Sequence, residues 1–278
     1  MNDDATTTLA GRRSLEADDE PPRIRRSRPL RAFVRIVQAV AHALHGIAIV
    51  LWRFKSIEMA RRHALIRWWA RKMLRVMGIA LQIDGSAAGG DTIAPGTLLV
   101  ANHISWLDIM VLHAVCPQAR FVSKSDVRHW PLVSRLADAA NTLYLERERK
   151  RDALRVVHLV AAALKNHEIV AVFPEGTTSD GHGVLPFHAN LLQAAISTGA
   201  PVQPIALRFS DATTPISPAV EYIGTTSLVQ SVWRVASGEG VCANVALLAP
   251  RASADAERRQ LAHALRDDIE ASLVVRPR

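Results

Sequence analysis

Beyond residue 78, short apolar segments alternate with longer amphipathic ones along the chain. The short segments are rich in β-branched residues and predict strands, whereas apolar positions three or four residues apart predict helices between them. This alternation is typical of an α/β domain with a central mixed, largely parallel sheet flanked by helices. Strands are predicted near 80–84, 97–101, 119–123, 142–145, 169–173, 202–207, 219–223 and 242–248. Helices are predicted near 106–115, 130–139, 150–165, 189–198, 226–236 and 255–273.

The first 78 residues follow a different pattern. Residues 30–54 predict a helix whose uncharged stretch, 36–52, has 17 residues, the lower limit of the roughly 17–25 that cross a bilayer. Polar residues recur on one face of this helix at intervals of three and four. Such a helix favours a position in the membrane interface or partial insertion, and a buried core helix is the alternative. The polar stripe consists of Arg31, Arg35, Gln38, His42 and His45.

A second predicted helix, 57–78, combines arginines with Trp68 and Trp69. Residues 1–78 hold 16 Lys and Arg against 7 Asp and Glu, so the positive excess of the chain is concentrated there. This charge attracts either an anionic membrane surface or nucleic acid. The apolar helix upstream favours the membrane, and we expect no nucleic-acid partner. The predicted organisation is a disordered tail at 1–29, a membrane-associated helical element at 30–78 and an α/β domain at 79–278.

The segment NHISWLD (102–108) follows a predicted strand and carries candidate catalytic groups. His103 lies in the turn between this strand and the next helix, and Asp108 lies five residues later in the first turns of that helix. The carboxylate can fold back and accept one imidazole N–H, which leaves the other ring nitrogen free as a base. A helix start with incidental polar residues explains the same segment equally well.

A second polar segment, FPEGTTS (173–179), directly follows an apolar strand. Gly176 permits close approach of the backbone to a ligand. Amides and hydroxyls at a strand end can bind a phosphate or a developing oxyanion, and a surface turn is the alternative. The segment brings one carboxylate and three hydroxyls to this position, from Glu175, Thr177, Thr178 and Ser179.

Two further segments extend the pattern. Arg147, at the end of YLER (144–147), follows a short strand and can bind a phosphate through its guanidinium. The segment APVQPIAL (200–207) is a predicted strand with two prolines, which implies an edge strand or a special backbone path. The two cysteines, Cys116 and Cys242, lie far apart without metal-ligand spacing, so we expect reduced thiols and no metal site.

In this order, the four segments resemble the sequence blocks of the glycerolipid acyltransferases, the 1-acylglycerol-3-phosphate acyltransferase or PlsC-like family. The resemblance is close over 97–207. It implies that His103 deprotonates an acceptor hydroxyl as this attacks an acyl thioester, and that Asp108 positions the imidazole. It also implies that Arg147 binds the anionic headgroup of the acceptor. Glu175 and Gly176 would then shape the acceptor site.

The reaction that the resemblance implies is transfer of a fatty acyl group from acyl-CoA or acyl carrier protein to a lysophospholipid. The first expected acceptor is 1-acylglycerol-3-phosphate, with phosphatidic acid as product. Members of the family carry an N-terminal two-helix element on the membrane, which corresponds to 30–78 here. We therefore expect a membrane-associated enzyme whose site faces the cytoplasm, with no cofactor beyond the acyl donor. The absence of a G-x-S-x-G motif counts against a serine hydrolase.

One departure from the family pattern keeps alternatives open. Many members have Arg where this chain has Thr178, and loss of that cation weakens the prediction of a phosphate acceptor. The segment GVLPFHANLLQAA (183–195), after EGTT, is similar to acyltransferases that act on lyso-ornithine lipid, which is the alternative acceptor. A thioesterase, with water as the acceptor, is a second alternative. A non-enzymatic basic membrane-binding protein is the third.

Overall fold

A central sheet organises the α/β part of the chain. The structure is a computed structural model that describes residues 29–85, 93–124, 131–145 and 150–274. Within these ranges, seven strands form one sheet in the order β1-β7-β6-β2-β5-β3-β4. The strands are β1 (Ala80–Asp84), β2 (Leu98–Ala101), β3 (Arg120–Lys124), β4 (Leu143–Leu145), β5 (Val170–Val172), β6 (Val202–Ser210) and β7 (Cys242–Leu247).

Strands β6, β2, β5, β3 and β4 run parallel, and β7 is antiparallel to β6 and parallel to β1. This arrangement confirms the predicted mixed, largely parallel sheet. The helices in the described residues are α1 (Pro29–Arg53), α2 (Met59–Val76), α3 (Leu107–Val115), α4 (Pro131–Ala139), α5 (Lys150–Lys165), α6 (Leu192–Thr198), α7 (Leu228–Ser237) and α8 (Arg258–Leu273).

Two apolar cores cover the two faces of the sheet. One core contains buried residues of α1, α2, α3 and α7, and the other contains buried residues of α5, α6 and α8. Strand β2 contributes to both, because successive strand side chains point to opposite faces. Leu99 and Ala101 lie in the first core, and Leu98 and Val100 lie in the second. A strand that is buried on both faces therefore leads directly to His103.

The predicted strand at 219–223 is wrong. This segment begins in a turn, in which the Val220 N–H donates to the carbonyl of Ser217, and residues 221–223 are irregular. Its natural pairing partner would be the preceding strand β6, but β2 and β7 already occupy the two edges of β6. Val220 still packs into a core. Burial of the apolar side chain therefore explains the hydrophobic pattern without a strand.

Of the two alternatives for 200–207, the edge strand is wrong, because β6 lies in the interior of the sheet. Pro204 is paired with Val100 of β2. Its carbonyl accepts a hydrogen bond from Leu248, one residue beyond the end of β7. The N–H and C=O of one strand residue point the same way, so the missing N–H of Pro204 would also have pointed toward the chain that continues β7. An interior proline is tolerated there because the β6–β7 pairing begins at Ile205 and the next paired residue on that side is Val202, which bonds Arg251, so Pro204 lies at a break in the pairing.

The polar stripe of α1 is turned largely toward the protein. Arg35 donates to the carbonyls of Ala236 and Gly238 at 3.0 and 2.8 Å, where α7 ends. Arg31 donates to the carbonyl of Ser237 at 3.2 Å. The positive guanidinium groups thus satisfy carbonyls at a helix C-terminus, where the helix dipole favours cations. The predicted stripe therefore fastens α1 to the domain.

A reciprocal pair of hydrogen bonds joins α1 to α2. His42 Nε2 donates to the carbonyl of Trp69, and Trp69 Nε1 donates to the carbonyl of His42, both at 3.0 Å. The two rings stack with centroids 5.3 Å apart. Gly46 makes room for this contact, because a Cβ atom at its position would lie 2.4 Å from Trp69 Nε1. The two helices therefore form a close hairpin.

The opposite side of α1 is apolar and exposed. Among the described helices, α1 is the one that is long and apolar enough to cross a membrane. Since polar groups of the stripe bind the protein, apolar side chains are left facing outward. The exposed apolar side chains of α1 are Leu30, Phe33, Val34, Val37, Val40, Leu44, Leu51 and Trp52. The predicted disordered tail lies almost entirely outside the described residues.

Candidate active site

The two candidate segments meet at one edge of the sheet. Strands β2 and β5 are parallel neighbours, with Val100 paired to Val172. Their carboxyl ends therefore open at the same edge, where ligands of α/β sheets usually bind. His103 follows β2 by two residues, and Phe173 directly follows β5. The sequence order alone separates these residues by 70 positions, and the parallel pairing brings them together.

His103 and Asp108 form the predicted dyad. His103 Nδ1 lies 2.7 Å from Asp108 Oδ2, and the Asp108 side chain is fully buried whereas that of His103 is 19% exposed. The same carboxylate oxygen accepts the N–H groups of Ile104 and Ser105 at 2.7 and 2.9 Å. An oxygen that accepts two backbone N–H groups favours a third donor, so Nδ1 carries the proton. Nε2 is then the basic nitrogen of the ring.

The backbone of His103 is held from both sides by the second segment. Its N–H donates to Glu175 Oε1 at 2.7 Å. Its carbonyl accepts the N–H of Ser179 at 2.8 Å and the hydroxyl of Ser179 at 3.2 Å. Glu175 and Ser179 are both buried, so these bonds are shielded from water. The FPEGTTS segment therefore fixes the position of the candidate base.

Asn102 anchors the residue before the base. Its side-chain oxygen accepts the N–H of Leu207 at 2.7 Å, and its side-chain nitrogen donates to the carbonyl of Leu207 at 2.9 Å. The β2–β6 backbone pairing ends at Ala101 and Ile205. Beyond this point, the buried side-chain amide of Asn102 replaces the backbone as the hydrogen-bond partner of β6. The Pro-containing segment thus supports, through Leu207, the turn between β2 and α3 that carries His103, called here the catalytic turn.

Phe173 covers one face of the imidazole. The two rings stack with centroids 4.2 Å apart and planes 15° from parallel. In the same turn, the indole N–H of Trp106 donates to the hydroxyl of Ser231 in α7 at 3.0 Å. Within the described residues, Nε2 of His103 makes no hydrogen bond. The ring is thus held by its Nδ1 side and one face, and Nε2 remains available to a substrate proton.

Burial raises the pKa of Glu175 to about 7, even though the backbone N–H groups of His103 and Leu185 favour its charged form. A carboxyl group in an apolar, water-poor environment resists ionisation. Glu175 therefore changes charge near neutral pH, next to the backbone of the candidate base His103. The predicted role of Glu175 in shaping the acceptor site is compatible with this position.

The three predicted hydroxyls have different surroundings. Ser179 is occupied with His103, and the hydroxyl of Thr178 donates to the carbonyl of Tyr222. Thr177 is exposed. Gly176 has a φ of 71°, a left-handed conformation that favours glycine at this turn. Of the three, Thr177 is the hydroxyl that best fits direct contact with a ligand, and the substrate roles of all four residues stay predictions.

Arg147 lies outside the described residues, so its predicted contact with the acceptor headgroup stays a prediction. The described residues contain no cluster of three or more side chains suited to hold a metal. Cys116 and Cys242 are unpaired. Burial raises the pKa of Cys116 to about 12, which makes this thiol a poor nucleophile.

Sequence reasoning missed four residues that support the site: Asn102, Trp106, Phe173 and Ser231. Asn102 and Phe173 adjoin the predicted residues, and their place beside His103 and Glu175 in sequence was a usable signal. Ser231 is more than 120 residues from Trp106, and no local pattern identifies it. Only the packing of α7 against the catalytic turn reveals its role.

A separate groove of about 340 Å³ lies at the opposite edge of the sheet. It is lined by the end of α1, by α2 and by residues at the amino ends of β3 and β4, including Arg120 and Asn141. His103 lies beyond the carboxyl end of β2, so the length of the strands separates the groove from His103. The groove is therefore distinct from the candidate active site.

Comparisons with known proteins identify the family of the chain. The family model described as Acyltransferase matches residues 88–208. A 1-acyl-sn-glycerol-3-phosphate acyltransferase of Neisseria meningitidis serogroup B is 31% identical over 81% of this chain and 89% of its own length. A lyso-ornithine lipid O-acyltransferase of Pseudomonas aeruginosa is 30% identical over 88% of this chain and 94% of its own length.

The fold also has a solved counterpart. The crystal structure of the 1-acyl-sn-glycerophosphate (LPA) acyltransferase PlsC from Thermotoga maritima superposes with a TM-score of 0.61 at 20% identity. The match covers 89% of this chain and 97% of the other. The Thermotoga structure shows the shared fold, and the identity to the Neisseria and Pseudomonas relatives over most of both lengths shows the family. The chain belongs to the acyltransferase family that includes 1-acyl-sn-glycerol-3-phosphate acyltransferases and lyso-ornithine lipid O-acyltransferases.

Proposed function

We propose that this protein transfers a fatty acyl group from an acyl thioester to the free hydroxyl of a lysophospholipid. The observation that carries the proposal is the 2.7 Å contact between His103 Nδ1 and the buried Asp108 carboxylate. This contact leaves Nε2 as a base at the carboxyl edge of the sheet. Family membership supports the acyl-transfer chemistry.

In the proposed reaction, His103 Nε2 takes the proton of the acceptor hydroxyl as its oxygen attacks the thioester carbonyl. Asp108 stabilises the imidazolium that forms. The tetrahedral intermediate then breaks its carbon–sulfur bond, and the departing thiolate receives the proton from Nε2. The products are an oxygen ester and a free thiol, and no covalent enzyme intermediate forms. No cofactor or metal enters this scheme, and acyl-CoA or acyl carrier protein serves as the donor.

The proposed acceptor is 1-acylglycerol-3-phosphate, with Arg147 as the residue that binds its phosphate. Relatives in two Neisseria species carry the corresponding name. Lyso-ornithine lipid is the second candidate, because relatives in Pseudomonas and Rhizobium are named for it. Thr178 also favours this candidate, since its hydroxyl is committed to Tyr222 and it offers no cation to a phosphate.

One labelled acyl donor incubated with each acceptor in turn tests the proposal. We expect a diacyl product from lysophosphatidate, and a larger yield from lyso-ornithine lipid would reverse the order of the two acceptors. Labelled free fatty acid in place of diacyl lipid would identify a thioesterase. His103→Ala should lower kcat at least about 10³-fold while vesicle binding is unchanged. Equal activity of this variant and the parent protein would refute the mechanism.

We also propose that the exposed apolar side of α1 lies in the membrane, with the site facing the cytoplasm, the compartment that supplies both donor carriers. Burial of apolar side chains in the interface supports binding, and the positive charge of residues 1–78 attracts anionic lipid. Val37→Glu should weaken binding to anionic vesicles by roughly 10-fold. Gln38→Glu adds the same charge at the adjacent exposed position and should change binding less than about 3-fold. Equal losses would show that charge alone, rather than insertion of this face, decides binding.

A further inference from the structure

Helix α7 carries a second exposed apolar face. Val229 and Trp233 lie four residues apart on one side of the helix and are 80% and 42% exposed. Ile223, in the loop before the helix, is 38% exposed. The opposite side of α7 is buried through Ser231 and Val235, so the orientation of the helix is fixed. The apolar outer side is therefore a stable feature of the folded protein.

Helix α7 lies between α1 and the turn that carries His103. Arg31 and Arg35 of α1 bind carbonyls where α7 ends. Ser231 of α7 accepts the indole N–H of Trp106, which lies between His103 and Asp108 in sequence. The loop before α7 is also tied to the site, because Tyr222 accepts the hydroxyl of Thr178. Helix α7, whose outer side carries these exposed apolar residues, thus connects α1 to the turn that carries the candidate base.

We propose that the outer face of α7, formed by Ile223, Val229 and Trp233, is a second membrane-contact surface whose occupant is the lipid bilayer. This inference rests on the proposed function. A long-chain acceptor loses favourable burial for each methylene that leaves the bilayer. An enzyme that acts on such a lipid avoids this loss if the edge of its sheet that carries the base lies against the headgroup layer. Contact through both α1 and α7 fixes the domain in that orientation.

The residue types favour a bilayer over a protein partner. Tryptophan beside a cation suits the headgroup layer, where the ring lies at the boundary and the charge meets phosphates. Arg234 is exposed next to Trp233 and supplies that cation. Helix α7 also packs against α1 through Arg31 and Arg35, and the outer side of α1 is apolar along its length. A bilayer can cover both helices at once.

Matched charge variants test the proposal in two assays. Val229→Glu and Trp233→Glu should lower kcat/KM for a long-chain lysolipid in phosphatidylglycerol–phosphatidylcholine vesicles by roughly 10-fold. Both should leave kcat/KM for a short-chain, monomeric lysolipid within about 2-fold. Gln230→Glu is the control, because it adds the same charge one residue away. Glutamate also preserves the capping box that Gln230 forms with Ser227.

Equal vesicle activity of Val229→Glu and Gln230→Glu would overturn the proposal, as would an equal loss with the monomeric acceptor. A protein without acyl transfer to any acceptor would instead refute the proposed function. The surface is tested independently of activity with an environment-sensitive fluorophore on Val229→Cys, which should shift to the blue when vesicles are added. A fluorophore on His263→Cys, exposed on α8 across the sheet, should not shift. No shift at position 229, or a shift that depends on protein concentration without vesicles, overturns the bilayer as the occupant.

Discussion

The catalytic edge of the sheet and helix α1 both place polar side chains among apolar ones, yet the two regions use them in opposite ways. At the catalytic edge, Asp108 and Glu175 accept backbone N–H groups and thereby hold His103, whose Nε2 remains available. On α1, Arg35 and His42 bind backbone carbonyls of α7 and α2. These side chains use their hydrogen bonds to hold α1 against the domain, and the outward side of α1 is apolar.

The difference shows how to separate a reactive group from a structural one. A polar residue marks a site of chemistry when its neighbours satisfy part of it and leave one atom facing an opening. A polar residue whose hydrogen bonds all go to the backbone supports the fold, whatever its position in a pattern. In α1 the surface that we propose to be functional is consequently the apolar one.

The largest expected effect concerns the group that holds the base. Asp108→Asn replaces an oxygen that accepts three N–H groups by an amide that can also donate, which favours the wrong tautomer of His103. We expect kcat to fall by about 10³–10⁴-fold with little change in KM. Steady-state acyl transfer measures this, and circular dichroism checks the fold. A fall of less than about 10-fold would mean that the carboxylate does not orient the ring.

The next effect concerns stability at the same edge. Asn102→Ala leaves the buried N–H and carbonyl of Leu207 without their partners, and should lower the free energy of unfolding by about 3–4 kcal/mol. Urea denaturation measures the change. Asn244→Ala on β7 is the control, because its amide is only half-buried and should cost about 1 kcal/mol. Equal costs would show that burial of the Asn102 pair is not what stabilises the turn.

A pH-dependent effect distinguishes Glu175 from the polar groups of α1. Because its pKa is raised from 4.5 to about 7, the folded protein retains a proton there that the unfolded chain loses. The contribution of Glu175 to stability is therefore complete below pH 4.5 and is lost as pH rises toward 7, by roughly 2–3 kcal/mol in total. Glu175→Gln removes this titration. The unfolding free energy of the parent minus that of the variant should fall from pH 5 to pH 8. A constant difference would contradict the raised pKa.

The smallest effect tests the packing of α1. Alanine normally stabilises a helix relative to glycine by about 0.5–1 kcal/mol. Gly46→Ala should instead destabilise the protein by about 1–2 kcal/mol, because its Cβ would collide with the indole of Trp69. In a Trp69→Leu background the same substitution should become neutral or stabilising. Thermal unfolding of the four proteins measures the sign, and destabilisation in both backgrounds would exclude this contact as the cause.

Much of the fold was predictable because local pattern and burial agree. Strand β2 and its neighbour β5 are continuous apolar runs, as expected for strands buried on both faces. The prediction failed at 219–223, where an apolar pattern reflects burial of Val220 in a turn. The edge-strand alternative failed at Pro204, because a break in the pairing accommodates a missing N–H as well as an edge does.

The candidate site was predictable in its residue types and less so in its contacts. His103 and Asp108 are five residues apart, so their meeting depends on one local turn. The hydroxyls of Thr178 and Ser179 looked like ligand groups in sequence, and in the structure they bind backbone carbonyls. Which partner a hydroxyl finds depends on segments far away in sequence, and no local pattern reveals that.

The sequence by itself determined the alternation of strands and helices, the concentration of positive charge in residues 1–78, and the pairing of His103 with Asp108. These features depend on periodicity, charge and short spacing, which are local. Only the tertiary structure decided which side of α1 faces outward, how Glu175 and Ser179 grip His103, and that α7 adjoins the catalytic turn. Hydrogen-bond partners and exposed surfaces are set by the packing of distant elements against each other, and an amphipathic pattern alone does not say whether its polar side faces water or protein.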